Sequence, residues 1–448
     1  MAPVNTRKED TSISHLLPVK YLEDEQQYDG YNQASLASAV FNLSTSIVGA
    51  GIMGLPATMK TVGIIPGIVL IIFVGFLTNY TIDVLLQYTY ECKATAYSGV
   101  MADSFGRVGR VLLQICIIIN NFGLLVVYLI IIADVLSGST ISSVHHTGVL
   151  EEWGGGETWW NSRVVVMLFT TLFVLAPLVC IRHLDSLELS SAISVGLAVV
   201  FVVVTAAIFM YKLAFGTVST PQLFPTFSAD ASAILGLFSV VPVLVTAFIC
   251  HHTIHPVLNE MRNESDHKKV VQFSISLCTA LYVMTSAFGY LLFGEDTLSD
   301  ILSNFDADLG VPYGTVLSDI VRVGYALHLM LVYPVLNFSL RLNVDELVFP
   351  RAVPLTYDNR RFYLVTCCLT SAAFLGASFI PDIWDAFQFT GSTSAVCLGF
   401  VFPGAVVLRN RRHIFEGRGK KLLAWFLILL AAGASIMAIT GDIYELFE

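Results

Sequence analysis

Apolar runs long enough to cross a lipid bilayer recur along this chain from about residue 34 almost to its last residues. No other feature narrows the fold so much. A helix rises 1.5 Å per residue, so about 30 Å of hydrocarbon takes roughly 20 apolar residues. Lipid offers no hydrogen-bond partners, and each run must therefore be helical. Eleven spans can be read, at 34–58, 62–90, 108–136, 163–182, 189–215, 233–258, 269–293, 313–341, 361–380, 383–408 and 420–441. They predict an all-α polytopic membrane protein set in a lipid bilayer. Composition agrees, with 55% of the 448 residues hydrophobic and 13% charged, against about 25% charged in soluble domains. That balance argues against a soluble multidomain enzyme. The net charge of −10 carries no signal for nucleic acid, because the basic residues are not pooled into one patch.

Lysine and arginine set the expected orientation. With the N-terminus placed in the cytoplasm, 20 of the 24 fall on cytoplasmic segments. Lys60, Arg163 and Lys212 fall on the opposite side, and Arg322 lies within the eighth span. Residues 1–33 are polar and read as a disordered cytoplasmic tail with no cleavable signal peptide. Within it, Ser14-His15-Leu16-Leu17 faintly resembles a sorting signal. The 442–448 tail, with no basic residue, is expected outside or in a lumen. The longest outer loops are 137–162, with Trp153, Trp159 and Trp160 suited to a membrane interface, and 294–312, rich in acidic residues. None of the eight cysteines falls on an outer segment, so no structural disulfide is expected.

Two spans look interrupted. In the first, Gly49-Ala50-Gly51-Ile52-Met53-Gly54-Leu55-Pro56 follows a good helical start. Three glycines in six residues remove Cβ cover, and the proline removes a donor. A helix broken there exposes main-chain amides at mid-membrane, a ready site for a carboxylate. In the sixth, prolines at 242 and 256 flank Thr246, Phe248, Cys250, His251, His252 and His255. Spans one and six occupy matching positions if spans 1–5 (34–215) and 6–10 (233–408) are inverted repeats, with 420–441 as an addition. Paired interruptions at such positions point to a transporter's central site. Glycine and proline also serve packing and kinking in membrane helices, but two interruptions in register favour the site.

Residues 41–56, Phe-Asn-Leu-Ser-Thr-Ser-Ile-Val-Gly-Ala-Gly-Ile-Met-Gly-Leu-Pro, resemble the first-helix signature of the amino acid/auxin permease family. That family includes sodium-coupled neutral amino acid transporters of animals and vacuolar amino acid transporters of plants and fungi. Phe248-Ile249-Cys250-His251 is similar to its sixth-helix signature; Ile320-Val321-Arg322, Tyr333-Pro334-Val335 and Arg341 are similar to its eighth. The resemblance runs over about 34–441. It implies a five-plus-five inverted repeat of the leucine-transporter type plus one extra helix, with a site between helices one, three, six and eight. It implies alternating access, with an amino acid as the small-molecule substrate. The α-carboxylate would meet amides of Gly49, Ala50, Gly51 and Ile52; the amino group would meet Thr45, Ser46 and the stretch around Thr246, Phe248 and Cys250. Sodium-coupled members carry an asparagine where Thr45 stands here, and threonines where Met330 and Val332 align. A methionine and a valine offer a sodium ion no oxygen, so a proton is the preferred driving ion.

Ionisable groups inside the spans supply coupling candidates. His328 lies near the middle of the eighth span, and histidine titrates near physiological pH. Asp83 in span two and Asp134 near the outer end of span three are further candidates. Asp319 and Arg322, three apart on one helical face, are expected to form a local ion pair. Asp382 and Asp385 are expected in solvent at the outer mouth. Tyr128 is the third-span residue expected to face the cavity, with Asn120 and Asn121 nearby. His251 and His255 share a face, but lack the carboxylate or thiolate company of a metal site. No metal and no cofactor are expected, and no paired catalytic groups converge at one depth. Three readings remain beside proton-coupled transport: a sodium-coupled symporter, an amino acid sensor on a transporter fold, and a divalent-metal carrier. The last would need an acidic ligand in the first break, and 49–56 holds none. The membrane is expected to be vacuolar, another endomembrane, or the plasma membrane.

Overall fold

The computed structural model describes residues 34–141, 144–156, 158–182, 185–218, 221–225, 231–261, 263–306, 308–380 and 390–445. The expected N-terminal tail, Asp382 and Asp385, the start of the tenth span and the last three residues lie outside them.

The first span is two helices, α1 (Leu36–Ile47) and α2 (Gly51–Val62), bent by 56°. Ser35 caps α1 by accepting a 3.0 Å bond from the Ser38 amide, which satisfies one of the helix's orphan donors. Gly63, at φ 83, turns the chain into α3 (Ile64–Cys92). Next comes α4 (Tyr97–Ser137), which starts eleven residues before the expected span at 108. Gly106, at φ 70, breaks it, so the first stretch is a separate short helix. The fourth span is α5 (Arg163–Val179), with π-type turns at Thr170–Leu175 before Pro177. The fifth is α6 (Glu188–Ala214).

The sixth span is again broken, into α7 (Ala231–Phe248) and α8 (His251–Asn259). Then follow α9 (His267–Phe293), α10 (Gly314–Val348), α11 (Asn359–Phe379), α12 (Gly391–Arg409) and α13 (Arg418–Glu445). Asp358 caps α11 through the Arg361 amide at 3.0 Å. Among the described residues, nine helices are long and apolar enough to cross a membrane, the bent first pair makes a tenth, and Arg163–Val179 is a shorter apolar helix. The all-α expectation misses one small feature. β1 (Gly138–Ile141) pairs antiparallel with β2 (Val144–Thr147) in the first outer loop.

Packing sorts the helices into two groups. Around the breaks, α9 packs on α1, α2 and α3, while α7 packs on α2; α10 packs on α4 and α6, and α4 on α5 and α11. The first group carries both broken spans and the second holds them from the side. α13 packs on α7 and α12 and leaves Leu422, Phe426, Leu429 and Ile436 exposed. Together with Ile65, Val69, Phe73 and Phe76 of α3, these exposed apolar side chains suit a lipid environment.

Candidate functional site

The two breaks face each other at the centre of the molecule. Val48 ends α1 with its amide on the Ser44 carbonyl at 2.8 Å. Beyond it, the Ile52 and Met53 amides turn back to the carbonyls of Gly49 and Ala50 at 3.3 and 3.1 Å. The Ala50 amide points at the Tyr128 phenol oxygen. Among the described residues, no protein acceptor holds the amides of Gly49 and Gly51. Such free donors at the start of a half-helix suit an anion.

Glycine is needed at 49 and 51 for close approach. A Cβ at Gly49 would lie 1.8 Å from Tyr128 Oη, and one at Gly51 would lie 2.8 Å from the Ala247 Cα. So α4 closes on the first break, and α7 closes on α2. Tyr282 of α9 ties the breaks together, its Oη 2.6 Å from both the Ile47 and Ala247 carbonyl oxygens. Tyr325 of α10 donates to the Gly49 carbonyl at 2.6 Å. Phe248 packs edge-on against Tyr282, with ring centroids 4.9 Å apart.

The other site candidates fall around the same centre. Thr45 Oγ1 donates to the Ser191 carbonyl at 3.0 Å. Ser46 Oγ donates to the Leu43 carbonyl at 2.8 Å or pairs with Thr253 Oγ1 at 2.9 Å, joining α1 to α8. Thr246 Oγ1 turns back onto the Pro242 carbonyl at 2.9 Å. Cys250 is buried at the second break, where its carbonyl accepts from the Thr253 amide at 2.9 Å. Asn120 and Asn121 are buried and bond to each other at 3.1 Å. His251 and His255 meet Thr81 and Thr89 of α3, each at 2.9 Å, so their ring nitrogens tie α8 to α3.

His328 is fully buried where α1, α6 and α10 meet. Its Nε2 is 3.0 Å from the Val48 carbonyl oxygen. Its Nδ1 is 2.8 Å from the Ser194 carbonyl oxygen and 2.9 Å from Ser194 Oγ. The titratable side chains around it are phenols: Tyr325, with its ring 4.8 Å away, and Tyr128 and Tyr282 at the adjoining break. The other coupling candidates lie elsewhere. Asp83 pairs with Lys268 at 3.2 Å, and Asp134 pairs with Arg163 at 2.7 Å.

On the side of the β-hairpin the centre is sealed. Arg322 pairs with Glu152 at 2.6 Å and also donates to the Thr147 carbonyl. This corrects the expected Asp319–Arg322 pair. Asp319 instead accepts from the Trp153 indole at 3.0 Å. The outer loop folds back over α10 and offers Arg322 a carboxylate that local spacing could not reveal. His146 meets Asp306 at 2.8 Å, and beside them buried Asp300 has its carboxyl pushed up to about 6 by burial. On the opposite side, that of the basic loops, a cavity of about 570 Å³ opens between α4, α8 and α10.

Tyr282, Tyr325, Ser191, Ser194 and Thr253 were not singled out by sequence reasoning. Most of these bonds run through a main-chain carbonyl, their own or a partner's, which leaves no motif. Tyrosines inside apolar spans were the one available signal.

Two broken helices clasped within a helical scaffold give this membrane protein the leucine-transporter fold. Solved structures of this type superpose along almost the whole chain. One is a manganese transporter from Eremococcus coleocola, with TM-score 0.59, 13% identity, and coverage of 92% of this chain and 88% of that one. Another is MhsT in complex with L-phenylalanine, with TM-score 0.59, 12% identity, and coverage of 91% and 99%. At such identities they bear on the fold alone. Among the described residues, no group of three or more His, Cys, Asp or Glu could hold a metal ion.

The particular family follows from sequence. The model described as "Transmembrane amino acid transporter protein" matches residues 32–446, and this chain belongs to that family. Amino acid transporter AVT6A of Arabidopsis thaliana is 49% identical over 451 residues, covering 100% of this chain and 97% of the relative. AVT6B of the same plant is 51% identical over 420 residues, covering 93% and 91%. The protein is thus an amino acid transporter of many membrane spans and not an enzyme.

Proposed function

We propose that this transporter is a proton-coupled secondary carrier that moves amino acids by alternating access around the breaks in spans one and six. The α-carboxylate is bound by the unpartnered amides of Gly49 and Gly51 and by those of Ala50 and Ile52, which exchange Tyr128 Oη and the Gly49 carbonyl for ligand oxygens. The amino group is received by carbonyls near Thr45, Ser46, Thr246, Phe248 and Cys250. Residues 34–215 and 233–408 act as the two repeats, with 420–441 outside them. The basic loops and the N-terminus face the cytoplasm, and the membrane is a vacuolar, other endomembrane or plasma membrane.

One observation carries the proton: both ring nitrogens of His328 face carbonyl oxygens. A neutral imidazole has one N–H, whereas an imidazolium has two. In the neutral ring, Nε2–H donates to Val48 and the Ser194 hydroxyl donates to Nδ1. In the charged ring, Nδ1–H donates to the Ser194 carbonyl instead. The proton can therefore be accepted without turning the ring. Val48 caps the C-terminus of α1, the end of a half-helix that favours a cation. The side chains of Met330 and Val332 offer a sodium ion no oxygen to compete for this role. Flux of radiolabelled alanine into proteoliposomes, with proton and sodium gradients imposed separately, tests the reading. Replacing sodium by choline should leave uptake unchanged, and collapsing the pH gradient should abolish accumulation. Strict sodium dependence at fixed pH would overturn proton coupling. Among the candidates, His328→Gln should keep exchange between equal pools and lose pH-driven accumulation. If it accumulates normally, Asp83 and Asp134 become the groups to test.

A further inference from the structure

The cavity on the basic side is about 570 Å³, a volume suited to a small polar ligand. Its wall includes Arg341 of α10 and His252 of α8. Arg341 is 2% exposed. Its Nη1 donates to the Val179 carbonyl at 2.8 Å and to Thr366 Oγ1 at 3.0 Å, and its Nη2 donates to the Ile181 carbonyl at 3.4 Å. The Phe362 ring covers it at 4.0 Å. A guanidinium has five N–H donors, and these bonds engage three. Every one of these partners is neutral. The same wall holds three acidic groups: Asp345 and Glu346 pair with Arg361 and Arg110, and Glu260 lies just past the end of α8. Among the described residues, Arg341 forms no ion pair.

His252 supplies the second observation. It is 3% exposed, and neither ring nitrogen has a protein partner. Its neighbours His251 and His255 are both tied to α3. A buried imidazole with two unspent nitrogens at a cavity wall is costly unless something from the cavity answers it. Further along α10 from Arg341, at four-residue steps, Asn337 has both amide atoms unpartnered and Tyr333 has a free hydroxyl, both fully buried. Unspent polar groups thus continue inward from the vestibule.

We propose that Arg341 and His252 form a second carboxylate subsite, which holds the amino acid by its α-carboxylate between the central breaks and the basic-side aqueous face. Arg341 gives the charge, and His252 gives a donor beside it. The proposal rests on the chain carrying amino acids. Arg341 also clamps the carbonyls at the end of α5, so its loss alone would not separate ligand binding from stability. His252 makes no side-chain bond to the protein and is the cleaner variant.

The test uses the full chain in proteoliposomes sorted for orientation, with radiolabelled alanine supplied from either face. His252→Ala and Arg341→Lys should each raise the half-saturating alanine concentration at the basic-side face about tenfold relative to the opposite face, the loss of one charge-assisted bond. His252→Gln, which keeps a donor and an acceptor, should recover most of it. Thermal unfolding of His252→Ala should match the parent protein. Equal half-saturation shifts at both faces, or none, would overturn the subsite while leaving amino acid transport intact. A parent protein that carries no amino acid in either direction would overturn the transport reading and the subsite together.

Discussion

Ser194→Ala is the most informative change at the proton site. It removes one hydroxyl and leaves the Ser194 carbonyl, 2.8 Å from His328 Nδ1, in place. The charged ring keeps both of its acceptors, Val48 and Ser194. The neutral ring loses the hydroxyl that donates to Nδ1 across 2.9 Å. A buried hydrogen bond of this kind contributes about 1 kcal/mol, and 1.36 kcal/mol corresponds to one pH unit. The neutral form is therefore penalised by roughly 0.7 of a unit. The sign is fixed by which form loses a partner: the protonated state persists to higher pH. The midpoint of the pH profile of alanine uptake in proteoliposomes should move upward by that amount. Ser194→Thr, which restores the hydroxyl, should return it. His328→Gln should flatten the profile. A flat profile in His328→Gln beside an unmoved midpoint in Ser194→Ala would refute the claim that Ser194 answers the neutral ring.

Three further outcomes follow from the same geometry. Gly49→Ala should insert but lose flux, because its Cβ would lie 1.8 Å from Tyr128 Oη; adding Tyr128→Phe removes that atom, leaves the next at 2.9 Å, and should restore part of the uptake. Arg322→Gln or Glu152→Gln should loosen the hairpin-side seal, read as faster labelling of a cysteine placed below it, and exchanging the two residues should slow labelling again. Asp300, with its carboxyl raised to about 6, is held protonated more readily in the closed loop than in an unfolded chain, whose carboxyl titrates near 4. Closure should thus be fully supported below about pH 4 and lose support as pH rises through about 6; hydrogen exchange over 294–313, corrected for intrinsic rates, should show this dependence, and Asp300→Asn should remove it.

The sequence disclosed the spans and both interruptions because each is a local property: apolar length, or glycine and proline inside it. The resemblance over residues 41–56 pointed to the proposed carboxylate niche, and depth alone singled out Tyr128 as a cavity residue; its contact with Gly49 was not legible. What stayed hidden is long-range. His328 was visible as a buried titratable group, but Ser194 and the Val48 carbonyl lie 134 and 280 residues away in the chain. Main-chain acceptors carry no side-chain signature. Tyr282 escaped for the same reason, since it works through two carbonyls. Arg322 was paired by spacing with Asp319, whereas the loop brought Glu152 to it from 170 residues away. The early start of α4 was masked because residues 97–107 mix polar and apolar groups and bend at Gly106.

The two threonine–histidine bonds between α3 and α8 bear on how the carrier moves. With Ser46–Thr253 they fasten α8 to both α3 and α1. Three side-chain rivets on one flank make those helices a single stiff lever. On the other flank, toward α10, the recorded link is a long 3.4 Å bond from Ser339 to the His252 carbonyl. In the proposed cycle, sliding would therefore be concentrated along the α8–α10 seam, where a weak bond can be broken and remade at each turnover. In that cycle the vestibule along this seam would be the gap left by the tilting lever.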